Sequence, residues 1–304
     1  MMKRIYIQEV VTRDGLQIED QFVPTGQKID LINRLSTTGV DKIEVTSFVS
    51  PKAVPNLKDA EEVMQGIERN DSVTYTTLIP NVKGAERAAG CKTDEVNLVA
   101  SVSETHNQKN VRQTVGESFS NFQDIASFLA GTGININGTL ATAFGCPFEG
   151  SIDEDKVMIL IDKYLELGAA GITLADTTGM ATPKQVYQLC SKVLTQWPDL
   201  PVTLHFHNTR GMGLANVLEA IRAGVIRFDS SLGGLGGCPF APGATGNICT
   251  EDLVHMLVFM DYQLNTDLDQ LIGLSKHLEM VLEHEVPGQI IKAGKITDPH
   301  ASVK

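Results

Sequence analysis

Residues 171–208 read GITLADTTGMATPKQVYQLCSKVLTQWPDLPVTLHFHN. The apolar, β-branched run 171–176 predicts a strand, and 202–208 predicts a second. Between them, Thr182 followed by Pro183 marks a helix start, and apolar residues recur at helical spacing across 184–194. A strand, a helix and a strand in this order imply neighbours in a parallel sheet. Successive side chains of a strand point to opposite faces, so His205 and His207 share one face and Phe206 takes the other. Two imidazoles converging at a strand end are able to hold one divalent metal ion. Strand histidines also serve as ordinary core or hydrogen-bonding residues, and the pair alone leaves both readings open.

The same alternation recurs along the chain. Strands are predicted at 4–10, 42–47, 73–79, 95–101, 135–143, 171–176, 202–208 and 227–233. Helical spacing of apolar residues falls at 26–35, 152–167, 184–194, 214–223 and 251–260. Gly39, Gly168 and Gly224 each follow a periodic run, where a left-handed helix cap belongs. Eight such units in about 260 residues match the size of a closed (β/α)8 TIM barrel, an α/β fold. An open doubly wound sheet would carry a G-x-G-x-x-G turn after its first strand, whereas this chain has Thr12-Arg13-Asp14-Gly15. The expected organisation is a catalytic barrel over 1–265 and a C-terminal helical extension and tail over 266–304. The extension, helical over 268–282, could pack on the barrel or on a second copy in a homo-oligomer.

Composition narrows the function classes. The chain has 304 residues, 42% of them hydrophobic, enough for a substantial core. Its net charge of −12 argues against a nucleic-acid partner. No apolar run approaches the roughly 18 residues of a membrane span. The start Met1-Met2-Lys3-Arg4 does not lead into a secretory signal, so a cytoplasmic protein is expected. Five scattered cysteines without a C-x-x-C pair fit neither a disulfide framework nor a structural zinc knot.

In a barrel the active site lies at the C-terminal ends of the strands. Arg13 and Asp14 follow the first strand, Glu44 lies within the second, Asp176 ends the sixth, and His205 and His207 end the seventh. A glycine-rich segment follows the eighth, with Asn247 just before the next helix. Each could serve a turn or a cap alone; together at one rim they make a candidate site. Asp14, His205, His207 and Asn247 supply a carboxylate, two imidazoles and an amide oxygen, a set that suits Mg²⁺ or Mn²⁺ better than tetrahedral structural zinc. Glu44 reads either as a residue that orients a ligand or as one half of a buried ion pair with Arg13 or a lysine. The segment Gly233 to Gly246 holds six glycines in fourteen residues, either a loop that closes over substrate or a plain connector. Cys238, between Gly237 and Pro239, is a candidate for a chemical role; the other cysteines read as packing residues.

These residues resemble a known family. Arg13-Asp14-Gly15-Leu16-Gln17, Thr46-Ser47-Phe48-Val49-Ser50-Pro51-Lys52, Gly145-Cys146-Pro147-Phe148-Glu149-Gly150 and Gly236-Gly237-Cys238-Pro239-Phe240-Ala241 are similar to segments of 3-hydroxy-3-methylglutaryl-CoA lyases. Gly243-Ala244-Thr245-Gly246-Asn247 and Thr250-Glu251-Asp252-Leu253 continue the likeness, which runs from about residue 4 to residue 285. The resemblance implies metal-dependent retro-Claisen cleavage of an acyl-CoA to acetyl-CoA and acetoacetate, with Mg²⁺ or Mn²⁺ as cofactor. It implies that Asp14, His205, His207 and Asn247 hold the metal, that Arg13 stabilises the enolate oxygen, and that Cys238 takes part in proton transfer. Glu44 and Asp176 are implied supporting carboxylates. The chain departs from the family pattern at Ile18, Asp20 and Asn208, where the lyases carry Asn, Lys and Asp. Cleavage of a related thioester such as citramalyl-CoA, a Claisen-type synthase and a non-catalytic metabolite-binding barrel are the alternatives.

Overall fold

The computed structural model describes residues 3–237 and 246–299. Eight parallel strands, β1 (Tyr6–Glu9), β2 (Lys42–Ser47), β3 (Thr74–Leu78), β4 (Glu95–Ser101), β5 (Asn135–Ala141), β6 (Gly171–Asp176), β7 (Val202–Phe206) and β8 (Arg227–Ser230), close into a barrel in chain order. Closure comes from β1, which pairs with β2 on one side and with β8 on the other, Tyr6 opposite Arg227 through Glu9 opposite Ser230. The helices are α1 (Thr25–Leu35), α2 (Ala60–Gly66), α3 (Val82–Gly90), α4 (Glu104–Val111), α5 (Val115–Leu129), α6 (Glu154–Glu166), α7 (Pro183–Gln196), α8 (Gly213–Ala223), α9 (Thr250–Val258), α10 (Leu268–Leu282) and α11 (Ile290–Ala293). The four from α2 to α5 were not singled out by apolar periodicity, α2 to α4 being short and α4 largely polar. None of the helices among the described residues is long and apolar enough to cross a membrane.

Alternation decides what each strand buries. On β7, Val202, Leu204 and Phe206 pack outward into the helix layer, while Thr203 and His205 face the lumen. The lumen itself is polar. Hydrogen bonds that skip a strand can run only through it: Gln8 to Thr203 (3.2 Å) joins β1 to β7, and Lys42 to Glu95 (2.5 Å) joins β2 to β4. Barrel interiors are more often filled by branched apolar side chains. Here the apolar residues serve the outer interface instead, and buried polar groups fill the centre by satisfying one another.

The C-terminal helix α10 packs on its own barrel. Asp267 caps it, accepting from the Asp269 and Gln270 amides at 3.0 and 3.1 Å. Leu271, Leu274 and Leu278 are buried in the same cluster as the barrel's outer face. Ser275 donates to Glu251 of α9 at 2.5 Å.

Candidate metal centre at the barrel mouth

After β1 the chain makes one π-helical turn, Val11–Gly15, which ends the predicted first strand early and turns Asp14 over the barrel mouth. Single π turns recur at functional sites because the wider turn re-aims side chains. The Asp14 carboxylate meets the two imidazoles of the β7 end: one ligand atom each of Asp14, His205 and His207 lies within 4.8 Å of the others, and all three residues are buried. His207 Nε2 stands 4.0 Å from Asp14 Oδ2. That is too long for a hydrogen bond, but two ligands each about 2.1 Å from one ion stand roughly 3 to 4.2 Å apart.

Protonation follows from the neighbours. His205 lies directly opposite Asp229 of β8, and its Nδ1–H donates to Asp229 Oδ2 at 3.2 Å, so in the neutral form Nε2 carries the lone pair. Burial disfavours the His205 cation, but Asp229 and Asp14 outweigh it and raise the pKa. For His207, burial and the neighbouring His205 push the pKa down to about 4, only partly offset by Asp14, so it is a neutral imidazole at neutral pH. Burial would raise the Asp14 carboxyl, yet Arg13 and the two histidines, with an Asn247 hydrogen bond, hold it down at about 2. Asp14 is therefore an anion beside a neutral donor.

Asn247 arrives by tertiary pairing. The segment beginning at Gly246 lies against the ends of β7 and β8: Asn208 N–H donates to Gly246 C=O at 2.9 Å, Ile248 N–H to Phe206 C=O at 3.0 Å, and Ser231 N–H to Ile248 C=O at 3.0 Å. The Asn247 amino group is spent on Asp14 Oδ2 (2.7 Å) and the Leu235 carbonyl (3.0 Å), which fixes the amide orientation and makes Oδ1 the atom it could offer to a cation. Two glycines permit this closeness. A Cβ on Gly236 (φ +108°) would lie 2.5 Å from Asn247 Nδ2 and 3.2 Å from Asp14 Oδ2, and one on Gly246 (φ +90°) would lie 2.2 Å from the Gly234 carbonyl. The ends of the glycine-rich segment are thus packed structure.

Arg13 flanks the centre and bridges two carboxylates. Its Nε donates to Glu44 Oε2 at 2.5 Å, Nη2 pairs with the same carboxylate, and Nη1 donates to Asp14 Oδ1. Burial opposes the guanidinium charge, but Glu44 and Asp14 more than restore it. Glu44 is therefore the buried ion-pair partner of Arg13 rather than a member of the metal-ligand group. Asp176 stands apart: its register partner is Phe206, on the pleat opposite His205, and its Oδ1 accepts from the Met180 (2.7 Å) and Ala181 (3.0 Å) amides. Its Oδ2 is buried without a partner, and burial pushes its pKa up to about 6. Cys238 lies outside the described residues. The remaining cysteines, Cys91, Cys146, Cys190 and Cys249, are buried and unpaired.

Three supporting residues escaped the sequence reading. Asp229 orients His205, Gln17 donates to Asp14 Oδ1 at 3.0 Å, and Asn97 donates to Glu44 Oε1 at 2.6 Å. Asp229 carried a signal, a carboxylate two residues after Arg227 on a predicted strand; Gln17 lay inside the family-like segment 13–17 without a role assigned to it, and Asn97 carried none. Of the three departures, Asn208 is absorbed by the fold, because its Oδ1 accepts from the Gly213 amide at 3.1 Å where α8 begins. Ile18 and Asp20 are exposed on the segment that follows the π turn.

A family model described as HMGL-like matches residues 4–278. The chain belongs to the HMGL-like family. A solved HMG-CoA lyase from Acenitobacter baumannii, in complex with coenzyme A and 3-methylmalate, is 56% identical and superposes with a TM-score of 0.95, covering 98% of this chain and 97% of that one. The hydroxymethylglutaryl-CoA lyase YngG of Bacillus subtilis is 40% identical, covering 96% of this chain and 98% of the relative. The (R)-citramalyl-CoA lyase of Chloroflexus aurantiacus is 39% identical, covering 97% and 96%. This HMGL-like chain is accordingly an enzyme, a carbon–carbon lyase. Its residues fit the divalent metal on which the family depends. The neutral His207 imidazole turns Nε2 toward the Asp14 anion at 4.0 Å, a donor pair and a spacing that one cation between them would satisfy.

Proposed function

We propose that this lyase cleaves 3-hydroxy-3-methylglutaryl-CoA to acetyl-CoA and acetoacetate, with Mg²⁺ or Mn²⁺ held by Asp14, His205, His207 and Asn247. The observation that carries the reading is the convergence of an ionised carboxylate and a neutral imidazole next to a doubly anchored arginine. A bound divalent cation supplies Lewis-acid polarisation of the substrate's hydroxyl and carbonyl oxygens. Arg13 meets the charge that appears on the thioester oxygen as the C2–C3 bond breaks. Of its five N–H groups three are engaged by Glu44 and Asp14, so two remain for substrate. Glu44 holds that guanidinium in place, and Asp176 supports the rim by anchoring the turn after β6. Cys238 is assigned the proton transfer at the enolate carbon. The balance is internal: the hydroxyl loses a proton, C2 gains one, and no oxidant is needed.

A second substrate is favoured by one observation. The relative named (R)-citramalyl-CoA lyase matches this chain about as well as YngG does, so identity does not separate a methylglutaryl from a citramalyl group. The 3-methylmalate in the complex of the A. baumannii relative is likewise a branched hydroxy-diacid. Incubating the pure protein with each thioester and either ion, and identifying the keto acid released, tests both. Acetoacetate as the faster product supports the main reading, pyruvate from citramalyl-CoA selects the second, and no keto acid from either overturns the substrate class.

A further inference from the structure

Below the metal-ligand layer, Glu44 is held from two sides. Arg13 occupies Oε2 from the mouth, and Asn97 of β4 donates to Oε1 from within the lumen at 2.6 Å. An asparagine side chain is able to offer either its amino group or its oxygen, so something must decide which end faces Glu44. Asn137 of β5 decides it. The Asn137 amino group lies 2.9 Å from Asn97 Oδ1 and 2.9 Å from Thr173 Oγ1 of β6, while a Cβ on Gly171 would meet Asn137 Oδ1 at 3.1 Å, placing that oxygen against the β6 backbone. With Asn137 donating, Asn97 must accept toward β5 and can only donate toward β2. The bonds run Thr173, Asn137, Asn97, Glu44, Arg13, across strands β6, β5, β4 and β2 to the turn after β1. Asn97 is partly shielded, and Asn137 and Glu44 are buried, so a lost donor would not be replaced freely from bulk solvent.

We propose that Asn97, oriented by Asn137, is a positioning residue that fixes the Glu44 carboxylate and through it the Arg13 guanidinium. The proposal rests on the reading of Arg13 as the group that stabilises the enolate oxygen. A carboxylate gripped at one oxygen only is free to rotate about its terminal bond, and the arginine fork turns with it. Misplacement on this scale lowers turnover while leaving substrate and metal affinity nearly intact. A small cavity beside Asn97, Asn137, Thr173 and Glu44 has room for about one water. Truncation to alanine would therefore let water substitute for the amide, and substitutions that keep the volume are the sharper test.

Asn97→Asp keeps the size but sets an acceptor against Glu44. Asn97→Leu keeps the bulk and removes both bonds. Steady-state kinetics are measured for both, for Asn137→Leu, for Asn97→Leu with Asn137→Leu, and for Arg13→Ala, alongside Mn²⁺ titration and thermal melts. The expected result is a kcat loss of about tenfold to a hundredfold in both Asn97 variants, with KM and Mn²⁺ affinity within about threefold of the parent. Asn97→Asp is the worse of the two, whereas a packing role would make the near-isosteric aspartate the milder. Asn137→Leu alone gives a smaller loss and adds nothing to Asn97→Leu. Parental kcat in both Asn97 variants, or losses of kcat that follow losses of Mn²⁺ affinity or folding, would overturn the proposal, as would additive losses in the double variant. Arg13→Ala separates the two levels: if it retains turnover, the reading of Arg13 fails; if it loses turnover while the Asn97 variants do not, only the relay fails.

Discussion

Asp229 shows how one carboxylate sets the state of a proposed ligand. By accepting from His205 Nδ1 it settles which nitrogen carries the proton in the neutral imidazole and leaves Nε2 as the donor for a cation. Asp229→Asn removes the negative charge that holds this tautomer, and an amide at the same place is free to present a donor instead. The expected outcome is Mn²⁺ binding weakened by about tenfold to a hundredfold, measured by calorimetry, in a protein that still melts cooperatively. An unchanged binding constant would show that His205 needs no such partner. At this scale the sequence was partly legible. The spacing of His205 and His207 put both on one face, as the structure has them. The residues that hold these groups in place were less so, because the role of Gln17 on Asp14 and of Asn97 on Glu44 shows only in what they touch.

The elements that carry the ligands divide in the same way. Strand alternation needs only the sequence, and β2, β4 and β6 fall where it placed them. The predicted first and eighth strands ran too long, since the chain leaves β1 into a π turn and leaves β8 into a single helical turn at Leu232–Gly234. The pairing of Gly246 to Cys249 with β7 and β8 is tertiary, so its sequence could show only glycines. Glycine density suggested freedom, yet at Gly236 it provides close approach. Gly236→Ala would force a methyl group against Asn247 and Asp14 on a backbone at φ +108°. The variant is expected to fold, to lose at least about tenfold in Mn²⁺ affinity, and to lose turnover in step. Wild-type binding in that variant would mean that the two ligands do not depend on this contact.

At the scale of the molecule, the segments beyond the ends of β1 and β8 are tied together by a buried acid that no motif announced. Glu9 ends β1, where Oε1 accepts from the Val11 and Leu232 amides at 2.8 and 2.9 Å and Oε2 accepts from the Thr250 hydroxyl at 2.7 Å. One side chain thereby joins the π turn, the chain after β8 and the start of α9. Burial outweighs these bonds and pushes its pKa up to about 8, from 4.5 in the unfolded chain. Its contribution to stability is thus fully present below pH 4.5 and drains as the pH climbs through 8, because the native state keeps a proton that the unfolded state has released. Glu9→Gln imitates the protonated form. Urea melts across this window should show a flatter stability profile and higher stability at pH 8 than the parent, and equal slopes would contradict the assignment. Eight strand runs, with helical spacing between several of them, made the architecture legible from periodicity. The polar lumen was not, since alternation shows that a strand has two faces but not which of them turns inward.

On the proposed reading, one divalent cation sits between Asp14, His205, His207 and Asn247. An anomalous difference map from a manganese-soaked crystal tests it directly. A single strong peak within bonding distance of all four side chains, about 2.2 Å, is the predicted result. A mouth without a peak, or a peak coordinated by other residues, would contradict it.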